Sequence, residues 1–288
     1  MDKKPAWLKV NFNREAVEEV QGLMAKLKLN TVCKEANCPN LGECYKKHTA
    51  TFMILGRQCT RNCRFCNVVH GAPEPVDPEE PENLAEAALR LGLKHVVITS
   101  VTRDDLPDGG AAHFAACIRA VRATSPDTAV EVLIPDMKGV ASSLDIVIAA
   151  KPDVFNHNVE TVKELYEKVR PEADYDRSLD VLRYAKSAAP DMYVKTGIMV
   201  GLGETEAQVC ALMDDVLATG CDILTVGQYL RPSSAHVEMK EYISPETFAR
   251  YKEIAEKKGF RYVASSPLVR SSYRAEEAFR RAGAAKKD

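Results

Sequence analysis

Short apolar runs alternate with amphipathic segments along most of this chain. Strand-length apolar runs are predicted at 51–56, 95–101, 129–135, 153–159, 192–201, 222–230 and 261–266. Apolar residues at helical spacing predict helices at 14–29, 82–92, 111–124, 161–169, 178–189, 206–220 and 245–259. A further apolar run covers 144–151. Alternation of this kind, repeated about six times, indicates an α/β fold with a parallel sheet built from βα units.

The segment after the first predicted strand distinguishes between two α/β architectures. No glycine-rich dinucleotide-binding turn follows 51–56, so a partial (βα)6 TIM-type barrel is favoured over a doubly wound sheet. We expect this barrel to occupy residues 49–264, between an N-terminal extension (1–48) and a C-terminal extension (265–288). In a barrel, polar residues at the carboxyl ends of the strands line the functional rim.

Composition excludes several classes of partner. The 288 residues include 39 Lys and Arg against 41 Asp and Glu, a net charge of −2, which argues against a nucleic-acid binder. No apolar run reaches the ~18 residues of a membrane span, and the N-terminus lacks the apolar core of a signal peptide. We therefore expect a cytoplasmic protein with no membrane partner.

Six of the nine cysteines form two triads in one short stretch of the chain. Clustered cysteines in a reducing compartment bind metal or carry out redox chemistry more often than they form disulfides. The segment 31–48, which holds the first triad, is expected to be a loop rather than part of the core. The triads are Cys33-x4-Cys38-x5-Cys44 and Cys59-x3-Cys63-x2-Cys66.

The second triad directly follows the first predicted strand, where a barrel places its chemistry. Three thiolates in one loop can hold three corners of a [4Fe–4S] cubane and leave the fourth iron open to another ligand. Two alternatives are a structural zinc ion and a simple electron-transfer cluster. A zinc site of the C-x2-C type would need a second matching pair, and none is found in the sequence.

The stretch CTRNCRFC at 59–66, with Phe65 before its last cysteine, resembles the signature of radical S-adenosylmethionine (SAM) enzymes. That resemblance implies a cluster whose open iron binds the amino and carboxylate groups of SAM. It also implies that reduction of the cluster cleaves SAM to methionine and a 5′-deoxyadenosyl radical.

Within that superfamily, the chain resembles the lipoyl synthases over nearly its whole length. The resemblance implies a second [4Fe–4S] cluster held by the upstream cysteines (33, 38 and 44) and Ser272, with Ser271 as the alternative serine. This cluster is implied to donate sulfur to C6 and C8 of a protein-bound octanoyl chain. The matching motifs are the upstream triad, TSVTRDDLPDGGA (99–111), FNHNVET (155–161), KTGIMVGLGE (195–204), GQYLRPS (227–233) and VRSSY (269–273).

Further candidate site residues lie at predicted strand ends and in the last motif. Arg270 is expected to anchor the serine loop, residues 269–273, or to help position substrate. Ser272 is expected to take part in sulfur transfer. Ordinary structural roles, such as turns or a serine helix cap, are the alternative for each of these positions. The residues predicted to line the SAM or octanoyl pocket are Thr99, Ser100, Arg103, Asp104, Asn156, His157, Asn158, Lys195 and Glu204.

The resemblance also implies partners. These are octanoylated lipoyl domains, on 2-oxoacid dehydrogenase E2 subunits or the glycine cleavage H protein, and a ferredoxin- or flavodoxin-type electron donor. One alternative is another two-cluster radical SAM enzyme, although a biotin synthase-like enzyme would lack the upstream triad. Another is an iron–sulfur electron carrier, which would account for the cysteines but not for a large βα domain.

Overall fold

The computed structural model describes residues 4–10, 13–46 and 50–284. The chain divides into two compact units. The first unit consists of residues 11–62 and 67–156, and the second of residues 1–10, 63–66 and 157–288, each within its described part. The boundary expected at residue 48 lies outside the described residues.

The strands of the first unit follow one another in chain order across its sheet. The first two pair antiparallel, with Asn30 opposite Met53, and the later neighbours pair in parallel. The strands are β1 Asn30–Thr31, β2 Thr51–Ile54, β3 His95–Ser100, β4 Ala129–Leu133 and β5 Val154–Asn156. The parallel strands are almost wholly buried, as expected for a sheet covered on both faces.

The three longest helices of the first unit agree with the apolar periodicity, whereas its shorter helices were not predicted. The helices of this unit are α1 Arg14–Lys26, α2 Val32–Glu35, α3 Leu41–Lys46, α4 Glu80–Arg90, α5 Ala111–Thr124 and α6 Ala141–Ala149. The apolar run at 144–151 lies largely in α6, which buries Leu144 and Val147 and exposes Ile146. A continuous apolar run does not distinguish a strand from a buried helix, so only the structure assigns it.

The second unit contains three parallel strands, also in chain order. These are β6 Tyr193–Val200, β7 Ile223–Gln228 and β8 Tyr262–Ser265. Its helices are α7 Tyr166–Val169, α8 Tyr175–Ala188, α9 Glu206–Leu217, α10 Pro245–Lys258 and α11 Ala275–Ala284. The helix predicted at 161–169 is only a 3₁₀ turn followed by α7. Pro171 limits it, because the residue before a proline is disfavoured in helical conformation.

Helix ends follow local sequence signals. Thr205 and Gln208 form a reciprocal capping box at the start of α9. Ser244 caps α10 with Pro245 in the first turn, and Gly259 ends it at φ +115°. No helix in the described ranges combines the length and apolar character that crossing a membrane requires.

The turn after β2 redirects the chain into the loop that carries Cys59. Leu55 has φ +67°, a left-handed conformation that is costly for a residue with a bulky side chain. Its N–H donates to Glu80 Oε2 at 2.9 Å, and its carbonyl accepts from Arg103 Nη1 at 3.1 Å. Gly110, beside this turn, has φ +90°, which favours glycine, and a Cβ there would lie 2.3 Å from Leu55 Cδ1 and displace that side chain.

Candidate active site

Cys59 lies in the first unit, in the loop that follows β2. The backbone N–H groups of Thr102 and Arg61 donate to its Sγ at 3.3 and 3.5 Å. Thr60 Oγ1 donates to Thr102 O at 3.0 Å and accepts from Asp104 N at 3.1 Å, which joins the loop to the residues after β3. N–H donors directed at a sulfur suit a metal-bound thiolate, because they stabilise its negative charge.

Arg61 anchors this loop through two carboxylates. Its Nε and Nη2 donate to Asp104 at 2.6 and 2.9 Å, and its Nη1 and Nη2 donate to Asp136 at 3.0 and 2.7 Å. The side chains of Arg61 and Asp136 are 6% and 0% exposed. Burial alone would lower the pKa of Arg61, but the hydrogen bonds to both carboxylates raise it, so the ion pairs stay charged.

Neither Arg61 nor Asp136 is among the site residues predicted from the sequence. A usable signal existed for Asp136, because it follows β4 at the carboxyl end of a parallel strand. The oxygens of Asp104, predicted to line the SAM pocket, are bonded to Arg61. Arg103, another predicted pocket residue, pairs with Asp105 at 2.8 Å.

Residues 63–66, which carry the other two cysteines of the second triad, belong to the second unit. Arg64 N donates to Val169 O at 3.0 Å, and Arg64 O accepts from Val237 N at 2.8 Å. His236 Nε2 lies 3.0 Å from Cys66 O. Phe65 packs against a buried cluster made of Val169, Leu202, Tyr229 and Val237. The aromatic residue of the motif therefore fixes this segment in an apolar core.

The upstream cysteine segment corrects one expectation, because it is not simply a loop. It forms α2, whose first turn is capped by Thr31 Oγ1, and α3. Cys33 is 7% exposed, and its carbonyl accepts from Cys38 N at 3.0 Å. Cys44 N donates to Asn40 O at 2.9 Å. None of the three upstream cysteines is in a disulfide, so no disulfide competes with metal binding.

Tyr45 is a buried residue close to the upstream thiols. The residue is 1% exposed, and its hydroxyl lies 2.7 Å from Thr31 Oγ1. Burial raises the pKa of Tyr45, and the charges of all three upstream thiolates raise it further. Burial, with a smaller contribution from Cys38, raises the pKa of Cys33 to about 11. Each of the three upstream thiols is therefore close enough to Tyr45 to influence its ionisation.

Glu35 connects the two cysteine segments within the first unit. Its carbonyl accepts from Asn67 Nδ2 at 2.9 Å, and its carboxylate lies 3.4 Å from Arg57 Nη2. Arg57 comes two positions before the second triad, and Asn67 directly follows it. These contacts hold the upstream segment against the residues that flank the second triad. Neither Glu35 nor its two partners was identified from the sequence.

The serine loop of the second unit lies over β6 and β7. Ser271 Oγ accepts from Asn158 Nδ2 at 3.0 Å, whereas the Ser272 hydroxyl has no hydrogen-bond partner among the described residues. A Cβ on Gly197 would lie 3.3 Å from Ser271 Cβ, and one on Gly227 would lie 2.1 Å from a loop carbonyl. Glycines in these strands therefore allow the serine loop to approach the sheet closely.

Arg270 and Glu160 lie beside this loop. Arg270 Nη1 donates to the carbonyl of Val269 at 2.7 Å. Glu160 Oε1 accepts from Asn158 Nδ2 at 3.0 Å. Burial raises the pKa of Glu160, and the charges of Arg170 and Arg270 partly oppose that rise. Glu160 and Arg170 were not identified from the sequence, although Glu160 lies within the matching motif FNHNVET.

The predicted pocket residues of the first unit include both satisfied and unsatisfied polar groups. Thr99 Oγ1 donates to Leu133 O at 2.8 Å, and Asn156 Nδ2 donates to Glu131 Oε1 at 3.0 Å. In contrast, Ser100 Oγ and Asn156 Oδ1 are buried without a partner among the described residues. Such atoms are uncommon in native proteins and are often satisfied by a ligand or a water molecule.

The remaining predicted pocket residues lie in the second unit. Lys195 and His157 are each 1% exposed, and His157 N donates to Lys195 O at 3.1 Å. Asn158 Oδ1 is buried without a partner among the described residues. Glu204 accepts from the N–H groups of Gly201 and Leu202 at 2.5 and 2.9 Å, and burial raises its pKa. Glu204 therefore stabilises the turn after β6.

No group of three His, Cys, Asp or Glu side chains within the described ranges is gathered as the ligands of a single metal ion. This does not bear on a cluster, since a cubane has a separate iron for each thiolate and holds the thiolates farther apart than one ion does. The donor set of two cysteine triads, with N–H groups directed at one of the sulfurs, fits iron–sulfur clusters.

Comparisons with known proteins identify the family. The model of the radical SAM superfamily matches residues 53–216. A lipoyl synthase of Caldanaerobacter subterraneus subsp. tengcongensis is 57% identical over 274 residues, covering 95% of this chain and 96% of that protein. The chain belongs to the lipoyl synthase family. A second lipoyl synthase, from Alkaliphilus metalliredigens, is 55% identical over 277 residues, covering 96% of each protein.

The fold is also that of radical SAM enzymes. The crystal structure of methylornithine synthase superposes with a TM-score of 0.56 at 15% identity, covering 90% of this chain and 80% of that one. The α/β fold predicted from the sequence is confirmed. As a lipoyl synthase family member, the protein is a radical SAM sulfurtransferase that uses [4Fe–4S] clusters and SAM.

Proposed function

We propose that this protein inserts two sulfur atoms, at C6 and C8, into an octanoyl chain carried on a lysine of a lipoyl domain. The support is the pair of cysteine triads in a chain 57% identical to a lipoyl synthase. Unactivated C–H bonds lie beyond the acid, base and nucleophilic chemistry of side chains, so a cofactor must carry the hard step. When bound, the clusters and SAM supply the electron, the hydrogen-abstracting radical and the sulfur.

We assign Cys59, Cys63 and Cys66 to the cluster that binds SAM. Their spacing of x3 and x2 leaves one iron without a protein ligand. The N–H groups of Thr102 and Arg61 support the Cys59 thiolate. Polar atoms that are buried without a partner at Ser100, Asn156 and Asn158 support these residues as SAM or octanoyl contacts.

The upstream cysteines are assigned to the second cluster, with Ser272 as its fourth ligand. Ser271 is the less favoured ligand of the two serines, because its hydroxyl oxygen already accepts a hydrogen bond from Asn158. A serine oxygen is a harder ligand than a thiolate and binds iron less strongly than the cysteines do. Its release would let an iron leave when sulfur is transferred, which suits a cluster that is the sulfur donor.

The partners follow from the same function. The protein acts on octanoylated lipoyl domains, and we propose E2 subunits of 2-oxoacid dehydrogenases or the glycine cleavage H protein as the carriers. A ferredoxin- or flavodoxin-type protein is the proposed electron donor. The cysteines of both triads are not in disulfides, which favours a reducing location, and we propose the cytoplasm.

One assay tests the proposal. The protein is reconstituted anaerobically, its iron is counted, and it is incubated with SAM, reductant and an octanoylated lipoyl-domain peptide. We expect about eight irons per chain, 5′-deoxyadenosine, and a peptide carrying two added sulfur atoms. Formation of 5′-deoxyadenosine without sulfur addition would favour another radical SAM reaction. About four irons and no SAM cleavage would favour an electron carrier.

A further inference from the structure

Arg61 lies between the first two cysteines of the second triad, yet its side chain is buried rather than directed to solvent. Its guanidinium makes four hydrogen bonds to two carboxylates, each bound through both oxygens. Bidentate, charge-assisted bonds of this kind are strong and hold a fixed geometry. A loop residue with this many partners determines the conformation of the loop.

The two carboxylates come from different parts of the first unit. Asp104 follows β3 and Asp136 follows β4. The clamp formed by Arg61 and these two aspartates therefore joins the cysteine loop to the carboxyl ends of two neighbouring strands. Asp136 has a further contact that holds its carboxylate in place, because its Oδ1 accepts a hydrogen bond from Lys138 N at 3.0 Å. Both anchor residues lie in the segments that follow these strands, and the Asp136 side chain is fully buried.

The clamp and the sulfur contacts share the same segment of chain. Asp104 N donates to Thr60 Oγ1, and Thr60 bonds twice to Thr102 O, through its N–H and its hydroxyl, each at 3.0 Å. Thr102 N, on the same residue, donates to Cys59 Sγ. The ion pair of Arg61 with Asp104 therefore fixes the position of Thr102 through Thr60. In this position the Thr102 N–H is directed at the Cys59 sulfur.

We propose that Arg61, with Asp104 and Asp136, is a positioning residue that directs two backbone N–H groups at Cys59 and thereby raises the reduction potential of the cluster bound there. The inference rests on the proposed role of Cys59 as an iron ligand. Hydrogen bonds to ligating sulfur stabilise the more negative, reduced cluster, so they make reduction easier. Arg61 acts through the backbone, because its guanidinium is bonded to Asp104 and Asp136.

Arg61→Lys is the primary test, because it preserves the charge but loses the bidentate geometry. Midpoint potentials are measured in the reconstituted full chain by EPR, following the part of the reduced signal that changes when SAM is added. We expect the equilibrium constant for one-electron reduction to fall about tenfold, which is about 59 mV. Arg57→Lys is the matched control, because Arg57 has an exposed side chain and is expected to keep the wild-type potential.

Thr60→Val is the second test, since it removes the hydroxyl that links Asp104 to Thr102 without changing charge or removing a buried ion pair. It is expected to lower the potential in the same direction, by a smaller amount. Wild-type potentials in both variants would overturn the inference, as would a wild-type potential in Thr60→Val when Arg61→Lys does not fold. If the wild-type chain itself forms no SAM-responsive cluster, the proposed function fails first.

Discussion

The loop that begins at Cys59 and the upstream segment 31–46 both carry cysteines in the first unit, but they are fixed by different kinds of contact. Arg61 holds the first with four charge-assisted hydrogen bonds, largely excluded from water. The second is held by short helices, the neutral Thr31–Tyr45 bond and a partly exposed Arg57–Glu35 pair. Bonds to charged groups contribute more than neutral or exposed ones.

The difference fits the two proposed roles. A cluster that is used repeatedly to cleave SAM benefits from a rigid loop, since its geometry must be the same at each turnover. A cluster that gives up sulfur must be dismantled and rebuilt, and weaker local contacts allow its ligands to move. Within the first unit, charged contacts therefore hold the loop of Cys59 more firmly than the upstream segment is held.

The largest expected effect separates the two sites by their products. Cys59→Ala should abolish both 5′-deoxyadenosine and sulfur addition, because the SAM-binding cluster is lost. Cys38→Ala should abolish sulfur addition but retain 5′-deoxyadenosine, because only the sulfur donor is lost. Both variants should hold about four irons per chain. Mass spectrometry of nucleoside and peptide products gives the measurement, and identical product patterns would contradict separate roles.

The second prediction compares the strength of the anchors in metal-free protein. Asp136→Ala leaves Arg61 with one of its two carboxylates in a buried site, so it should lower the free energy of unfolding by about 3–5 kcal/mol. Arg57→Ala, the matched change beside the upstream segment, should cost no more than about 1 kcal/mol. Urea unfolding followed by circular dichroism measures both. Equal costs would remove the contrast between the segments.

The third prediction concerns Ser272, the proposed fourth ligand of the upstream cluster. Ser272→Cys should retain the cluster and slow sulfur addition tenfold or more, because a thiolate releases iron less readily than a serine oxygen. Production of 5′-deoxyadenosine should continue. Ser271→Cys is the control, because the hydroxyl of Ser271 is bonded to Asn158 and is not the assigned ligand. Equal sulfur addition in wild type and Ser272→Cys would count against ligand release.

A smaller effect is expected at the back of the upstream segment. Tyr45→Phe removes the hydroxyl bonded to Thr31 and leaves that threonine oxygen without this buried partner. The expected loss is about 1 kcal/mol of unfolding free energy in metal-free protein. Thr124→Val is the control, because its hydroxyl bonds only to carbonyls of its own helix, α5. An unchanged denaturation midpoint in Tyr45→Phe would indicate that the bond contributes nothing.

The smallest effect is a pH dependence next to the serine loop. Burial raises the pKa of Glu160 in the folded protein, so the fold favours the protonated acid. The wild-type protein therefore loses stability as pH rises through the pKa that Glu160 has in the folded state. The Glu160→Gln variant should not show this loss, because glutamine does not ionise. The Tm of the variant minus that of wild type should increase from pH 5 to pH 7. A difference that is constant with pH would contradict the raised pKa.

Much of the fold followed from local patterns, and the exceptions have physical causes. The strands and long helices agree with apolar periodicity because each buries one face or both. The upstream segment was expected to be a loop, since Pro39, Gly42 and Asn37 obscure a helical pattern. It folds into α2 and α3 because Thr31 caps the first of these, and because Cys33 and Tyr45 are buried against neighbouring elements.

The sequence by itself determined the candidate chemistry, because cysteine spacing within a short segment limits how far apart the thiols can lie. Tertiary structure alone decided which groups hold those segments. The two aspartates that bind Arg61, Asp104 and Asp136, are 43 and 75 positions away from it in the sequence. The contact of Ser271 with Asn158 spans 113 positions. Such pairs depend on which strand ends are neighbours in the sheet, and local patterns of polar and apolar residues do not encode that choice.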